Sequence, residues 1–337
     1  SPDSRFKLLR NWVGTLQAAA SSTKSPEGNT LTGPAYSAEL RREGRHYTQS
    51  TEYLDISPEF RTQAGFVRRT DIRSVSHESG YRFRPQGKYL ISWGPSVEAS
   101  GIWDHSGTRL DWELETNLSW EFNRQTLVSL FYESGRERLR PQDVRNLTRN
   151  LDFATRSQGL RFASQYISEL SFSGDYSSGR QINLVPPEGE NPYLAGFNEA
   201  ELGFTVRPNR YLRSDNTYVL SRLTRIGTDE SIFNNHIFRS RWNWQFNPEI
   251  SMRVILQYDT VLVNPSNTRL ESRKNFNADF LFTYLLNPWT ALHVGYNGNL
   301  QNIALRPTEI GSEIIRTNDM LQDARQFFIK FSYLFQF

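Results

Sequence analysis

The chain has 337 residues, with 39 basic and 36 acidic side chains and a formal net charge of +3, too balanced for a protein built to hold nucleic acid. With 37% hydrophobic residues and a mean hydropathy of −0.61, it is too polar for a bundle of membrane helices, and no apolar run approaches the roughly 18 residues such a helix needs. Cysteine is absent, which excludes disulfides and thiolate metal sites.

The chain opens Ser1-Pro2-Asp3 without a methionine or an apolar export segment and reads as a processed product or a carboxy-terminal fragment. From Trp12 onward the sequence alternates in short segments. Tight turns at Glu43-Gly44, Pro85-Gln86-Gly87, Asn123-Arg124-Gln125, Pro208-Asn209-Arg210, Asn247-Pro248-Glu249 and Asn287-Pro288-Trp289 fall on one side. Longer polar stretches, around 23–34, 57–70, 136–152, 180–195, 226–234, 262–273 and 304–325, fall on the other.

The clearest internal strand is Arg109 to Phe122. There Leu110, Trp112, Leu114, Leu118, Trp120 and Phe122 alternate with Asp111, Glu113, Glu115, Asn117, Ser119 and Glu121, which puts oil on one face and water on the other. Between 151 and 226 the pattern weakens, and strands are predicted near 153–162, 169–179, 197–207 and 212–225. Alternation returns at Phe238, Trp242, Trp244 and Phe246, then at Met252, Val254, Leu256 and Tyr258. It continues at Phe276, Phe280, Phe282 and Tyr284, and at Leu292, Val294, Tyr296 and Leu300. The last segment, Gln326 to Phe337, is apolar at every odd position from Phe327, with Phe328 and Leu334 as exceptions on the other face.

If such a chain crosses a bilayer it does so as a closed barrel, because only then does every backbone group find a partner. The expected fold is all-β: a transmembrane antiparallel up-and-down β-barrel of about 16 strands, with short periplasmic turns and long extracellular loops. A single domain over 1–337 and residence in the bacterial outer membrane follow. A propeller or large sandwich also alternates, but no blade repeat is present. The aromatics Trp12, Trp93, Trp103, Trp120, Trp244, Trp289 and Tyr333 sit at strand ends, where membrane-barrel girdles lie.

The polar faces then line a lumen. Glu98, Asp111, Glu113, Glu115 and Glu121 form an acidic wall; Arg239, Arg241, Arg253 and Lys330 form a basic one. Across a water-filled pore, walls of opposite sign orient polar solutes; the plainer reading is that the charges pair across a filled lumen. Only five basic residues are lysine; arginine forks carboxylates and phosphates better and suits a charged lumen or a lipopolysaccharide-facing rim, though a GC-rich genome gives the same bias.

An enzyme is not expected. His46, His77, His105, His236 and His293 are candidate bases, but His77-Glu78 and Asp104-His105 are sequence neighbours that point apart on a strand, and no HExxH or GxSxG pattern occurs. Glu188-Gly189-Glu190-Asn191 and Asp229-Glu230 lack calcium-loop spacing, so neither metal nor cofactor is expected. Asn146-Leu147-Thr148 matches the glycosylation pattern, which has no meaning in a bacterial barrel.

The run from Phe246 to Phe337 holds Gln257-Tyr258, Lys274-Asn275-Phe276-Asn277-Ala278-Asp279, Thr283-Tyr284, Val294-Gly295-Tyr296-Asn297 and Arg325-Gln326-Phe327-Phe328 ahead of Phe331-Ser332-Tyr333-Leu334-Phe335. It resembles the carboxy-terminal barrel of an uncharacterised bacterial family whose members carry an amino-terminal module similar to family-nine carbohydrate-binding domains. Asp55-Ile56-Ser57-Pro58 with Phe60-Arg61 and Gly65-Phe66 resembles it too. The resemblance implies a barrel, supplies no catalytic residues, and leaves any glycan link to a module not in this chain. Separately, Phe331, Tyr333, Phe335 and Phe337, alternating up to an aromatic terminus, resemble the signal by which outer-membrane barrels are recognised by the barrel-assembly machinery. The expected function is a porin-like channel for polar solutes or oligosaccharides, the alternative a plugged barrel anchoring a periplasmic carbohydrate-binding-like module or partner. An outer-membrane hydrolase comes third.

Overall fold

The computed structural model describes residues 3–24, 28–62, 67, 69–85, 87–144, 147–287, 289–308 and 311–334. Its described residues form one sheet of seventeen strands, and consecutive strands whose register is described pair antiparallel. The fold is an antiparallel up-and-down β-barrel of the outer-membrane type.

Backbone packing groups the chain into two compact units, Ser1–Asn123 with Val128–Gly159, and Arg124–Leu127 with Leu160–Phe337. The first unit carries β1 (Asp3–Leu9), β2 (Trp12–Lys24), β3 (Thr30–Glu43), β4 (Tyr47–Ile56), β5 (Ile72–Tyr81), β6 (Leu90–Trp103) and β7 (Arg109–Phe122). It also holds most of β8 (Thr126–Leu139) and of β9 (Leu151–Ile167). The second carries β10 (Leu170–Asn183), β11 (Tyr193–Asn209), β12 (Leu212–Arg225), β13 (Ser231–Gln245), β14 (Ile250–Val263), β15 (Arg273–Asn287), β16 (Thr290–Thr308) and β17 (Gly311–Tyr333).

Seventeen strands are one more than the sequence suggests. The addition is β1, whose DSRFKLL has no clean alternation but pairs with β2 from Asp3↔Gln17 to Leu9↔Trp12. The predicted turns fall at strand ends or between strands, with Glu43, Pro208, Asn209 and Asn287 inside the strands they are expected to close and with Pro288 and Gln86 outside the described residues. A larger departure is 304–325, expected as a loop. There β16 and β17 run on as 19- and 23-residue strands and pair out to Thr308↔Gly311. The ribbon's apolar residues, among them the exposed pair Leu305 and Ile314, are interrupted by charged and turn-forming ones, so its sequence reads as loop.

Register shows which face meets lipid. In β12 to β15 the rows Tyr218↔Phe238↔Tyr258↔Phe276 and Trp242↔Val254↔Phe280 stand together, and the aromatics Phe238, Trp242, Tyr258 and Phe280 are exposed, as a lipid-facing surface requires. On β17, Phe327, Ile329, Phe331 and Tyr333 continue that surface, each at least 55% exposed. Phe335 and Phe337 lie outside the described residues. Phe328, an exception to the alternation, pairs with Gly295, and its ring occupies the space a Cβ at that glycine would need, 2.2 Å from it.

The base of the β16–β17 ribbon is pinned by Asn302, only 2% exposed. Its amide donates to the carbonyls of Ser272 and Thr317 at 3.2 and 3.0 Å and accepts the Lys274 backbone N–H at 2.7 Å.

Candidate functional site

The inner face of the first unit is acidic. Glu78, Glu98 and Glu115 stand in one row across β5, β6 and β7; like charges directly opposite destabilise a ladder. Glu113 faces Ser100 in the next row, which runs on through Ser76 to Glu52 and Glu39. Glu39 takes Arg41 at 2.6 Å and the Ser50 hydroxyl at 3.1 Å. Sequence reasoning named Glu98, Glu113 and Glu115 but missed Glu39, Glu52 and Glu78, because only register aligns them. Glu121 stands apart and accepts the Ser92 hydroxyl at 2.7 Å.

Asp111 has another role. It accepts Arg69 Nη1 at 2.7 Å and the Arg138 backbone N–H at 3.0 Å, at the long-loop end of the unit. Arg69 also reaches Asp143 at 3.2 Å. Arg140 joins Asp143 at 2.7 Å to Asp71 at 3.4 Å. His105 lies between Asp71 and Asp55, each 3.0 Å away, and Arg73 meets Asp55 at 3.3 Å. The side chains of Arg69 and Arg140 are 9% and 5% exposed, so the network ties the β4–β5 connection to the β6–β7 and β8–β9 loops. Burial works against the Arg140 charge, but the bond to Asp143 and the charges of Asp71 and Asp104 outweigh it and hold that guanidinium above its ordinary pKa.

Asp104 and His105 lie in the β6–β7 loop rather than on a strand. Asp104 folds the loop back, accepting the Ser106 hydroxyl at 2.6 Å and the Thr108 N–H at 2.8 Å, with Gly107 at φ 86° in the left-handed region that glycine favours. Burial alone would raise the Asp104 pKa; these bonds, with the Arg140 charge, bring it below the ordinary carboxylate value. Among the described residues the other four histidines make single hydrogen bonds: His46 to the Arg82 carbonyl, His77 to Thr51, His236 to Tyr218 and His293 to Thr283.

The inner face of the second unit holds the basic residues. Arg241 stands between Asp215 and Ile255, Arg239 between Thr217 and Gln257, and Arg253 between Asn243 and Leu281. All three are exposed, and among the described residues none forms an ion pair. Asp215 is taken instead by Arg213, through contacts of 2.8 to 2.9 Å, and by the Thr205 hydroxyl at 2.7 Å. Lys330 lies apart, opposite His293. Toward the long-loop end the same face becomes apolar, with Ala195, Phe197, Leu223 and Ile232 buried together. The 264–272 loop is locked there: Thr268 donates to the Val185 carbonyl at 2.6 Å, Asn267 donates to the Ser231 carbonyl at 3.2 Å, and Arg225 donates to Asn267 at 2.9 Å.

Among the described residues no group of three or more histidine, cysteine or carboxylate side chains is arranged to hold a metal ion. No protein-family model matches the sequence, and no curated protein matches it. Solved structures do resemble it. The apoprotein of the FrpB iron transporter of Neisseria meningitidis (F5-1 variant) shares 13% identity at a TM-score of 0.48, over 98% of this chain and 60% of that one. The siderophore receptor PirA of Acinetobacter baumannii shares 8% at 0.47, over 98% and 59%. Wzi of Escherichia coli, an outer-membrane carbohydrate-binding β-barrel involved in capsule assembly, shares 8% at 0.29, over 91% and 82%. The chain spans about three fifths of the length of the transporter and receptor. Its own ladder, apolar outer face and polar inner face make it an outer-membrane β-barrel.

Proposed function

We propose that the chain is a porin-like channel for polar solutes, its inner-face charges ordering what passes. The observation that supports this most is the set of exposed inner-face arginines, Arg239, Arg241 and Arg253, which form no ion pair among the described residues. A guanidinium spent on holding a filled lumen together would be expected to have a carboxylate partner; one left to water is free to meet a solute. The solute class extends to oligosaccharides, whose hydroxyls the same polar inner face can meet. Lipid and lipopolysaccharide surround the outer face, and the barrel-assembly machinery reads the terminal aromatic strand. Planar-bilayer recording tests the reading: stepwise conductance is expected, with anion preference falling in Arg239→Glu and Arg241→Glu. Correctly folded protein that carries no ion current would sink it.

A second reading is favoured by the locked 264–272 loop and the apolar cluster beneath it. In it the barrel is plugged and anchors a periplasmic carbohydrate-binding-like module or other partner. Glycan binding by a full-length protein, compared with and without such a module, separates anchor from pore.

A further inference from the structure

At the short-turn end of the second unit's inner face lies a recess of about 460 Å³. Its lining includes Arg207, Tyr211, Arg213, Asn243, Arg253 and Thr283. Arg213, Asn243 and Arg253 occupy one row on β12, β13 and β14, so two guanidinium-bearing positions stand two strand spacings apart, roughly 10 Å, with a side-chain amide between them. Arg241 is one row above, next to Asp215. Asp215 is occupied by Arg213, while Arg207, Arg241 and Arg253 form no ion pair among the described residues. Arg210 closes the edge of the recess, its guanidinium 4.6 Å from the centre of the Tyr211 ring and hydrogen-bonded to the Tyr211 hydroxyl.

We propose that this recess binds a small multivalent oxyanion, a polycarboxylate or a phosphate compound. Guanidinium groups fork oxyanions through paired N–H donors, and two such groups lining the recess with no ion pair among the described residues, Arg207 and Arg253, call for more than one anionic group on the ligand. Asn243 and Thr283 add neutral donors for hydroxyl or ester oxygens. A neutral solute meets the same amides without the charge, and a cation is repelled. The inference deepens the channel reading by naming a solute class, yet binding itself needs no open pore.

Isothermal titration of the folded chain in detergent, with citrate and pyrophosphate as probes and maltotriose as the neutral control, tests it. Saturable binding of at least one anion is expected, and which one binds tells carboxylate from phosphate. Affinity should fall at least tenfold in Arg253→Gln and in Arg207→Gln. Arg253→Lys should fall between wild type and Arg253→Gln, because it keeps the charge without the fork, and Arg316→Gln on the distant β16–β17 ribbon should bind as wild type does. Heat-modifiable migration on gels verifies folding of each variant, and Arg207→Gln carries the test if Arg253→Gln does not fold. Absence of saturable binding by either anion, or equal binding in Arg253→Gln and Arg316→Gln, overturns the proposal. A conducting barrel that binds neither anion removes this inference alone; a barrel that binds but does not conduct removes the channel reading alone.

Discussion

Arg69 Nη1 and Asp111 Oδ2 meet at 2.7 Å, joining the β4–β5 connection to a carboxylate on the inner face of β7. The same guanidinium reaches Asp143, so one side chain holds two elements far apart in sequence. Breaking a buried pair by removing one partner strands the other and costs about 3–5 kcal/mol. Arg69→Ala and Arg140→Ala should therefore release the long loops of the first unit while the strands persist. Limited proteolysis of folded protein checks this: cleavage within 57–71 should accelerate at least tenfold, and unchanged cleavage would show the network to be dispensable.

The Asp104 turn should be sensitive to acid. Its carboxyl titrates below the ordinary value because the folded loop donates to the charged form. The turn's stabilisation is therefore complete above the unfolded value, about pH 4, and is lost as pH falls through the lower folded value. Amide exchange at Gly107 and Thr108 should speed up in that interval once corrected for intrinsic pH dependence. In Asp104→Asn the pH effect should vanish. Protection that stays flat in wild type would refute the assignment.

The glutamate row predicts a stabilising substitution. With Glu98 between Glu78 and Glu115, Glu98→Gln relieves two like-charge contacts and should raise stability by about 0.5–1 kcal/mol. Urea titration in lipid vesicles reads the change. A loss of stability instead would mean that a cation or a proton already neutralises the row.

On β15 the two faces should respond in opposite ways. Phe280 is exposed on the lipid side and Asn277 pairs with Gln257 and Asn299 on the inner side. Arginine at a lipid-facing midplane position costs about 2–4 kcal/mol, so Phe280→Arg should fold poorly into vesicles and Asn277→Arg nearly normally. Equal behaviour of the two variants would contradict the assignment of faces.

Asn302 predicts a local defect. Asn302→Ala leaves the Lys274 N–H and two carbonyls without their partner, a loss of about 1–3 kcal/mol for each group left buried and unsatisfied. Proteolysis within 303–316 should accelerate while the barrel remains heat-modifiable.

How much of this the sequence reveals depends on what each element needs. β7 is legible because lipid on one side and water on the other impose period two from Leu110 to Phe122, broken only at Thr116. The same logic locates the outer face of β12 to β17. It cannot find β1, too short and mixed, or the ribbon, whose apolar residues do not keep a steady alternation along both strands. Nor can it align Glu39, Glu52 and Glu78 with the glutamates of β6 and β7, since register is a property of strand pairs and not of any one strand. Phe328 looks like an error in the pattern until Gly295 is seen opposite it, where the missing side chain leaves room for the ring.

Beyond Gln301 the last hairpin leaves β15 behind: β15 pairs with β16 only as far as Asn275↔Gln301, whereas β16 and β17 continue together to Thr308↔Gly311. At about 3.3 Å per residue, the stretch from Asn302 to Thr308 reaches roughly 20 Å past the neighbouring strand. Such a spur, its backbone shared by only one partner strand, gives the wall beneath it no backbone hydrogen bonds, so substitutions beyond Asn302 cost the barrel little. It is accordingly where sequence change between strains of the same bacterium should concentrate, with the wall beneath it left alone.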